Sequence, residues 1–173
     1  GNAFLRAAVA GLKGQALWAY TPNRRSAERF RQLVSELDPQ IDARWIPADR
    51  ANLVSQLGTL YLPGPGLAEF GRLRLRAGSA AYSLVGVTHT TASHIAMDGI
   101  TGLLASPVMP WDALICTSCA VGGTVKVLLE AELEYLRWRF GGELKLSLPQ
   151  LPVIPLGVHC ADFDFSPGDR ASA

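Results

Sequence analysis

Apolar residues recur along this chain in two alternating rhythms. Short, near-continuous apolar runs of strand type occupy residues 16–20, 43–47, 59–62, 81–87, 113–116 and 151–154. Between them the apolar positions fall three and four apart, the spacing of one helix face. Phe4, Leu5, Ala8 and Val9 predict a helix over residues 2–9. Phe30, Leu33, Val34 and Leu37 predict a second, with Ser26 as its N-cap and Asp38-Pro39 as its end. Residues 50–57 read as a short helix, and Leu67, Phe70, Leu73 and Ala77 mark another. Residues 93–104 read as helical until Pro107 and Pro110. Val121, Val125, Leu128, Leu129, Leu136 and Phe140 stripe a long helix over residues 120–140, which Gly141-Gly142 ends.

Strands alternating with helices, and apolar almost throughout, predict a parallel sheet covered on both faces. The expected fold is therefore α/β: a Rossmann-like, doubly wound, mainly parallel sheet with helices on both faces. Such a domain ordinarily begins with a strand, whereas here a helix comes first. A first strand and its glycine-rich turn are thus expected ahead of Gly1-Asn2. No internal repeat or low-complexity stretch interrupts the pattern.

Composition narrows the class. At 173 residues and 49% apolar the chain is long enough for one well-buried domain. A formal net charge of +1 gives no bulk electrostatic case for nucleic acid. The apolar runs fall far short of the roughly 20 residues that cross a bilayer, so no transmembrane segment is expected. The opening residues lack the pattern of a secretory signal. Three cysteines do not make a disulfide framework. A reduced, cytoplasmic domain is the expectation.

Candidate chemistry gathers where strands end. His89 follows the strand 81–87, and ligands of open α/β sheets bind at that C-terminal edge. Its imidazole can hydrogen-bond a sugar hydroxyl or a phosphate, or simply satisfy its own loop. Thr88, Thr90 and Thr91 add hydroxyls to the same turn. Loop residues Asn2, His89, Thr90 and Ser118 are expected to line one cleft. Thr117 or Ser118 can cap the long helix, and Ser118 lacks a neighbouring base that would make it a nucleophile. Cys116-Thr117-Ser118-Cys119 has redox or half-zinc spacing, but no second ligand pair follows. The cysteines read as core and cap residues, and no metal is expected. Arg72-Leu73-Arg74-Leu75-Arg76 and Arg137-Trp138-Arg139-Phe140 alternate base and apolar side chain. They read as solvated helix faces whose arginine stems cover apolar surface, with contact to an anionic membrane surface as the other reading. Gly64-Pro65-Gly66 and Gly122-Gly123 lack the rest of any nucleotide-binding fingerprint.

The tail carries a more specific pattern. Its run Ile154-Pro155-Leu156-Gly157-Val158-His159-Cys160-Ala161-Asp162-Phe163 follows the last strand, and only ten residues remain after it. It resembles the Ile-Pro-x-Gly-Val-Asp-x-x-x-Phe segment that joins the two domains of retaining GT-B glycosyltransferases of the family 4 type. Asp112, its apolar strand and Ser118 ahead of a long helix match a second pattern of that family, and His89 after its strand a third. Departures stand at His159, where the family usually has Asp, at Leu156, often Asn, and at Asp162.

The resemblance implies an N-terminal, acceptor-side domain over residues 1–163 and a linker over residues 164–173 toward a C-terminal donor-binding domain. It implies transfer of a sugar from a nucleotide-sugar substrate to a carbohydrate, lipid-linked or small-molecule acceptor, without a cofactor held by this domain. His89 would be the catalytic group, Gly1, Asn2, Thr90 and Ser118 would contact acceptor or donor, and Pro155 and Gly157 would form the domain hinge. The isolated domain is expected to be inactive. Two alternatives remain open: a sugar-nucleotide epimerase of the same architecture, and a stand-alone α/β binding module.

Overall fold

The computed structural model describes residues 2–12, 14–158 and 160, with the backbone alone for Asn2. Helix α1 (Asn2–Gly11) leads to β1 (Leu17–Thr21), α2 (Arg24–Leu37) and β2 (Ala43–Pro47). A 3-10 segment (Ala48–Gln56) connects to β3 (Thr59–Leu62), followed by α3 (Leu67–Arg74) and β4 (Ser83–Thr88). Then come α4 (His94–Thr101), β5 (Ala113–Cys116) and α5 (Cys119–Phe140).

Every strand pair is parallel, β1 with β2 and β3 with β4 with β5. The fold is Rossmann-like, mainly parallel α/β. Among the described residues its strands form two sheets, one of β1 and β2 and one of β3, β4 and β5, with no ladder joining β1 to β3.

Strand alternation shows which helices cover which face. Leu84 and Leu114 point into a core shared with Leu67 of α3, Ile100 of α4 and Val125 of α5. Gly86 lies on that face too, where a Cβ would meet Gly64 O at 2.7 Å and Leu67 Cδ2 at 2.8 Å. Glycine is what lets the start of α3 sit against the strand. Tyr61 lies on the opposite face, where Phe4 of α1 stacks on it at 4.0 Å between centroids and 7° between planes. Helices therefore flank both faces.

Several local expectations shift. Asn23, not Ser26, caps α2: its Oδ1 accepts the Ser26 N–H at 2.8 Å, placing Ser26 in the first turn. Residues 48–56 wind as 3-10 helix, and Arg50 leaves helical geometry at φ −113° and ψ 38°. Residues 151–154 do run along β5 as a sixth strand-like segment. Gln150 and Ile154 donate to Asp112 O and Cys116 O, and Gln150 O and Pro152 O accept from Leu114 and Cys116. Pro152 has no N–H for the middle rung, so this pairing is reduced to isolated bridges.

The largest departure is Arg74. Its place in an alternating Arg-Leu run reads as solvated, yet it is fully buried together with Asp112. The pair is bidentate: Nη1 donates to Oδ1 at 2.5 Å and Nη2 to Oδ2 at 2.8 Å. Nη1 also donates to Tyr82 O and Nη2 to Pro107 O, while Asp112 accepts the N–H groups of Leu84 and Met109. One carboxylate thus ties the starts of β4 and β5, the end of α3 and the loop before β5 at the N-terminal edge of the sheet.

Removing one member of such a pair strands the other charge, which costs about 3–5 kcal/mol. Asp112→Ala is expected to lose that much in urea unfolding, and Arg74→Met made on top of it to cost less than Arg74→Met alone. A loss under about 1 kcal/mol, the range of an exposed pair, would refute the role assigned to the clamp.

Candidate functional site

At the opposite edge, where β3, β4 and β5 end, lies a cavity of about 500 Å³. Phe4 and Ala7 of α1 form one wall and residues 154–158 another, with Tyr61, Val87 and Ile115 as the floor. His89 and Thr117 stand at its rim, each just beyond the end of its strand. The lining is mostly carbon, with a phenol, an imidazole and a hydroxyl as its side-chain polar groups. That mixture suits a ligand with an apolar body and a few hydrogen-bonding groups.

Each polar group is placed by its element. His89 follows the last residue of β4 and is exposed. Thr117 Oγ1 donates to Thr88 O at 3.0 Å, joining the ends of β5 and β4 beside the cavity. Burial pushes the Tyr61 phenol above its ordinary range, so it remains a protonated donor at neutral pH.

The structure brings together His89, Pro155 and Gly157 of the residues singled out from sequence, all three lining the one cavity. Thr90 and Ser118 lie outside its lining, contrary to expectation. Thr90 Oγ1 accepts the Ala92 N–H at 3.1 Å on the exposed side of the turn. Ser118 is the N-cap of α5, its Oγ accepting the Val121 N–H at 3.2 Å. Short hydroxyl residues in a strand-to-helix turn satisfy the nearest orphan backbone donor first, and both are used in that way. The Asn2 backbone begins α1, whose next residues reach the cavity. Gly1, His159, Asp162 and Phe163 lie outside the described residues, as does the proposed linker 164–173.

Tyr61, Phe4 and Thr117 were missed as site residues. Tyr61 sits inside an apolar run that reads as plain core, and Phe4 on the apolar stripe of α1. Only their position at strand and helix ends on the same edge signals the cavity.

Cys116 is buried at the end of β5 and Cys119 exposed at the start of α5, and both are free. The Cys116 thiol is raised by burial, with Lys126 pulling weakly the other way. A raised thiol is a poor nucleophile and a poor metal ligand at neutral pH. Among the described residues no group of three or more His, Cys, Asp or Glu is placed to hold a metal ion. No helix among them is long and apolar enough to cross a membrane. At the end of α5 Trp138 is 78% and Phe140 71% exposed, so the arginine stems of Arg137 and Arg139 do not cover them.

No family model, no curated protein and no solved structure matches the chain.

Two measurements follow from the chemistry of this edge. Thr88, wholly buried on the core face, has an Oγ1 without a hydrogen-bond partner among the described residues. Thr88→Val replaces that hydroxyl by a methyl group of similar shape and is expected to raise stability by about 1 kcal/mol in urea unfolding. A loss of stability would mean that the hydroxyl is satisfied.

The second concerns alkaline pH. Cys116, Tyr20, Tyr61 and Tyr82 are all raised, first by burial, above ordinary values of 9.0 for the thiol and 10.0 for the phenols. Each holds its proton more tightly folded than unfolded. Their contribution is complete below the unfolded values and is lost as pH rises through the folded ones. Unfolding free energy should therefore fall above about pH 9, and Cys116→Ala should remove the earliest part of the fall. A flat profile across that range would contradict the burial of these groups.

Proposed function

We propose that this domain is the acceptor-binding half of a retaining glycosyltransferase of GT-B architecture. The observation that carries the reading is that His89 and the segment around Pro155 and Gly157, two separate points of the family resemblance, line one cavity at the C-terminal edge of a parallel sheet. The Rossmann-like fold and the position of the cavity agree with it.

In this reading the acceptor's apolar body lies against Phe4, Tyr61, Val87 and Ile115. That favours a lipid-linked or aromatic acceptor over a bare sugar. The Tyr61 phenol and the Thr117 hydroxyl orient its polar end. The nucleotide-sugar is a substrate presented by a second domain that follows the hinge at Pro155 and Gly157. His89, at the rim, donates a hydrogen bond to the donor sugar or its phosphate as charge develops on the leaving group. Such a bond strengthens in the transition state and acts on kcat more than on KM. The work is cytoplasmic, where nucleotide-sugars are supplied. Exposed Trp138 and Phe140 beside Arg137 and Arg139 suit contact with an anionic membrane surface that would carry a lipid-linked acceptor.

The test is nucleotide-sugar turnover by the polypeptide extended through its donor domain, by its His89→Ala variant and by the 173-residue chain. The variant is expected to lose about 10²-fold in kcat with KM little changed, and the 173-residue chain to transfer nothing. Transfer by the short chain would defeat the half-enzyme reading. Conversion of the nucleotide-sugar without transfer would favour an epimerase. Unchanged turnover in the variant would remove His89 from the chemistry.

A further inference from the structure

The facing edges of β1 and β3 bound a second cleft, of about 790 Å³, lined by residues 17–20 on one side and 59–62 on the other. Its two remaining sides are closed by helices. Phe4, Leu5 and Ala8 of α1 cover one, and Val54 of the 3-10 segment with Phe70 of α3 the other. The cleft is therefore a flat slot in the plane of the sheet, between two strands and two helical layers.

Its walls are backbone edges. Leu17 N–H donates to Asp42 O, so Leu17, Ala19 and Thr21 turn their backbone groups toward β2. Trp18 and Tyr20 turn theirs into the slot. On the other wall Ser83 N–H donates to Gly58 O and Val87 N–H to Gly64 O, so the even positions of β3 face β4. Thr59 and Tyr61 turn theirs into the slot. No backbone hydrogen bond to these four residues on the slot side is formed among the described residues. Unpaired backbone groups between apolar layers are costly, and native interiors pair nearly all of them.

Size and polarity identify what pairs them. One five-residue strand, rising about 3.3 Å per residue, spaced about 4.8 Å from its neighbours and about 10 Å deep through both side-chain layers, sweeps about 800 Å³. The slot holds one strand and no more. Helix α1 starts at the C-terminal edge, where Phe4 meets Tyr61 and the His89 cavity, and runs back toward the start of β1. A parallel strand in the slot would end where α1 begins.

We propose that the slot receives one further parallel β-strand, and that the polypeptide immediately preceding Asn2 supplies it. The strand is apolar on both faces, since α1 covers one and the 3-10 segment with α3 the other. It bonds Trp18 and Tyr20 on one side and Thr59 and Tyr61 on the other, and merges the two sheets into one with order β2, β1, the new strand, β3, β4, β5. It becomes the centre of the sheet, at the point where chain order reverses. The inference is independent of the catalytic reading above.

The experiment compares three proteins by amide hydrogen exchange: the 173-residue chain, the chain extended by the residues encoded directly upstream, and the chain preceded by a five-residue Val-Ile-Val-Ile-Val segment and a two-glycine turn. Both extensions are expected to slow exchange at Trp18, Tyr20, Thr59 and Tyr61 at least ~10-fold. Proline in place of the second and fourth residues of the designed segment is expected to abolish the effect. Upstream residues that leave all four amides exchanging as before would overturn the proposal, even where the designed segment protects them. Protection that appears in the short chain as its concentration rises would also overturn it, because a second copy would then be the occupant.

Discussion

The open C-terminal edge of this domain depends on a fixed sheet, and the sheet is fixed from the other edge by Arg74 and Asp112. Their bidentate pair and the backbone groups around it fasten β4 to β5 and both to the end of α3. Burying two charges is costly, and an apolar pair of similar volume often stabilises as well. What the ion pair adds is direction. A carboxylate with two oxygens, each serving a guanidinium nitrogen and a backbone N–H, fixes the relative height of two strands in a way that methyl groups do not. Among the described residues Arg74 Nε has no hydrogen-bond partner.

This arrangement separates two tasks along the strands. At the N-terminal edge a charged pair, Arg74 and Asp112, is fully buried. The C-terminal edge is open and mostly carbon, with His89, Thr117 and Tyr61 supplying its side-chain polarity. Thr117 is the link between the ends of β4 and β5, as Asp112 is between their beginnings. The cavity wall formed by residues 154–158 inherits its position from the segment beside β5, where Pro152 removes a rung.

Much of the fold was legible in the sequence. The strands 43–47, 59–62 and 113–116 were readable residue by residue, because each is a short apolar run stopped by proline, glycine or a polar turn. The long helix was equally plain from its stripe and from Gly141, whose φ of 71° favours glycine. Arg74 was illegible for a physical reason. Its neighbours Arg72 and Arg76 are solvated, and nothing local distinguishes the arginine that has a carboxylate 38 positions away. Thr90 and Ser118 illustrate a different limit. A hydroxyl at a strand end has two uses, ligand contact and backbone capping, and sequence spacing alone does not choose between them. Among the described residues His89 makes no such local bond, and it lines the cavity where Thr90 and Ser118 do not.

The facing edges of β1 and β3, unpaired among the described residues, also bear on solubility. Open strand edges template uncontrolled addition of other chains, and proteins ordinarily blunt them with charge, proline or bulges. These edges carry Trp18, Tyr20 and Tyr61 instead, and would invite aggregation on an exposed rim. They are guarded by geometry. Facing each other under α1 and over the 3-10 segment, they leave room for a single extended strand of limited length, so the stacking of sheet upon sheet that propagates a fibril is sterically barred.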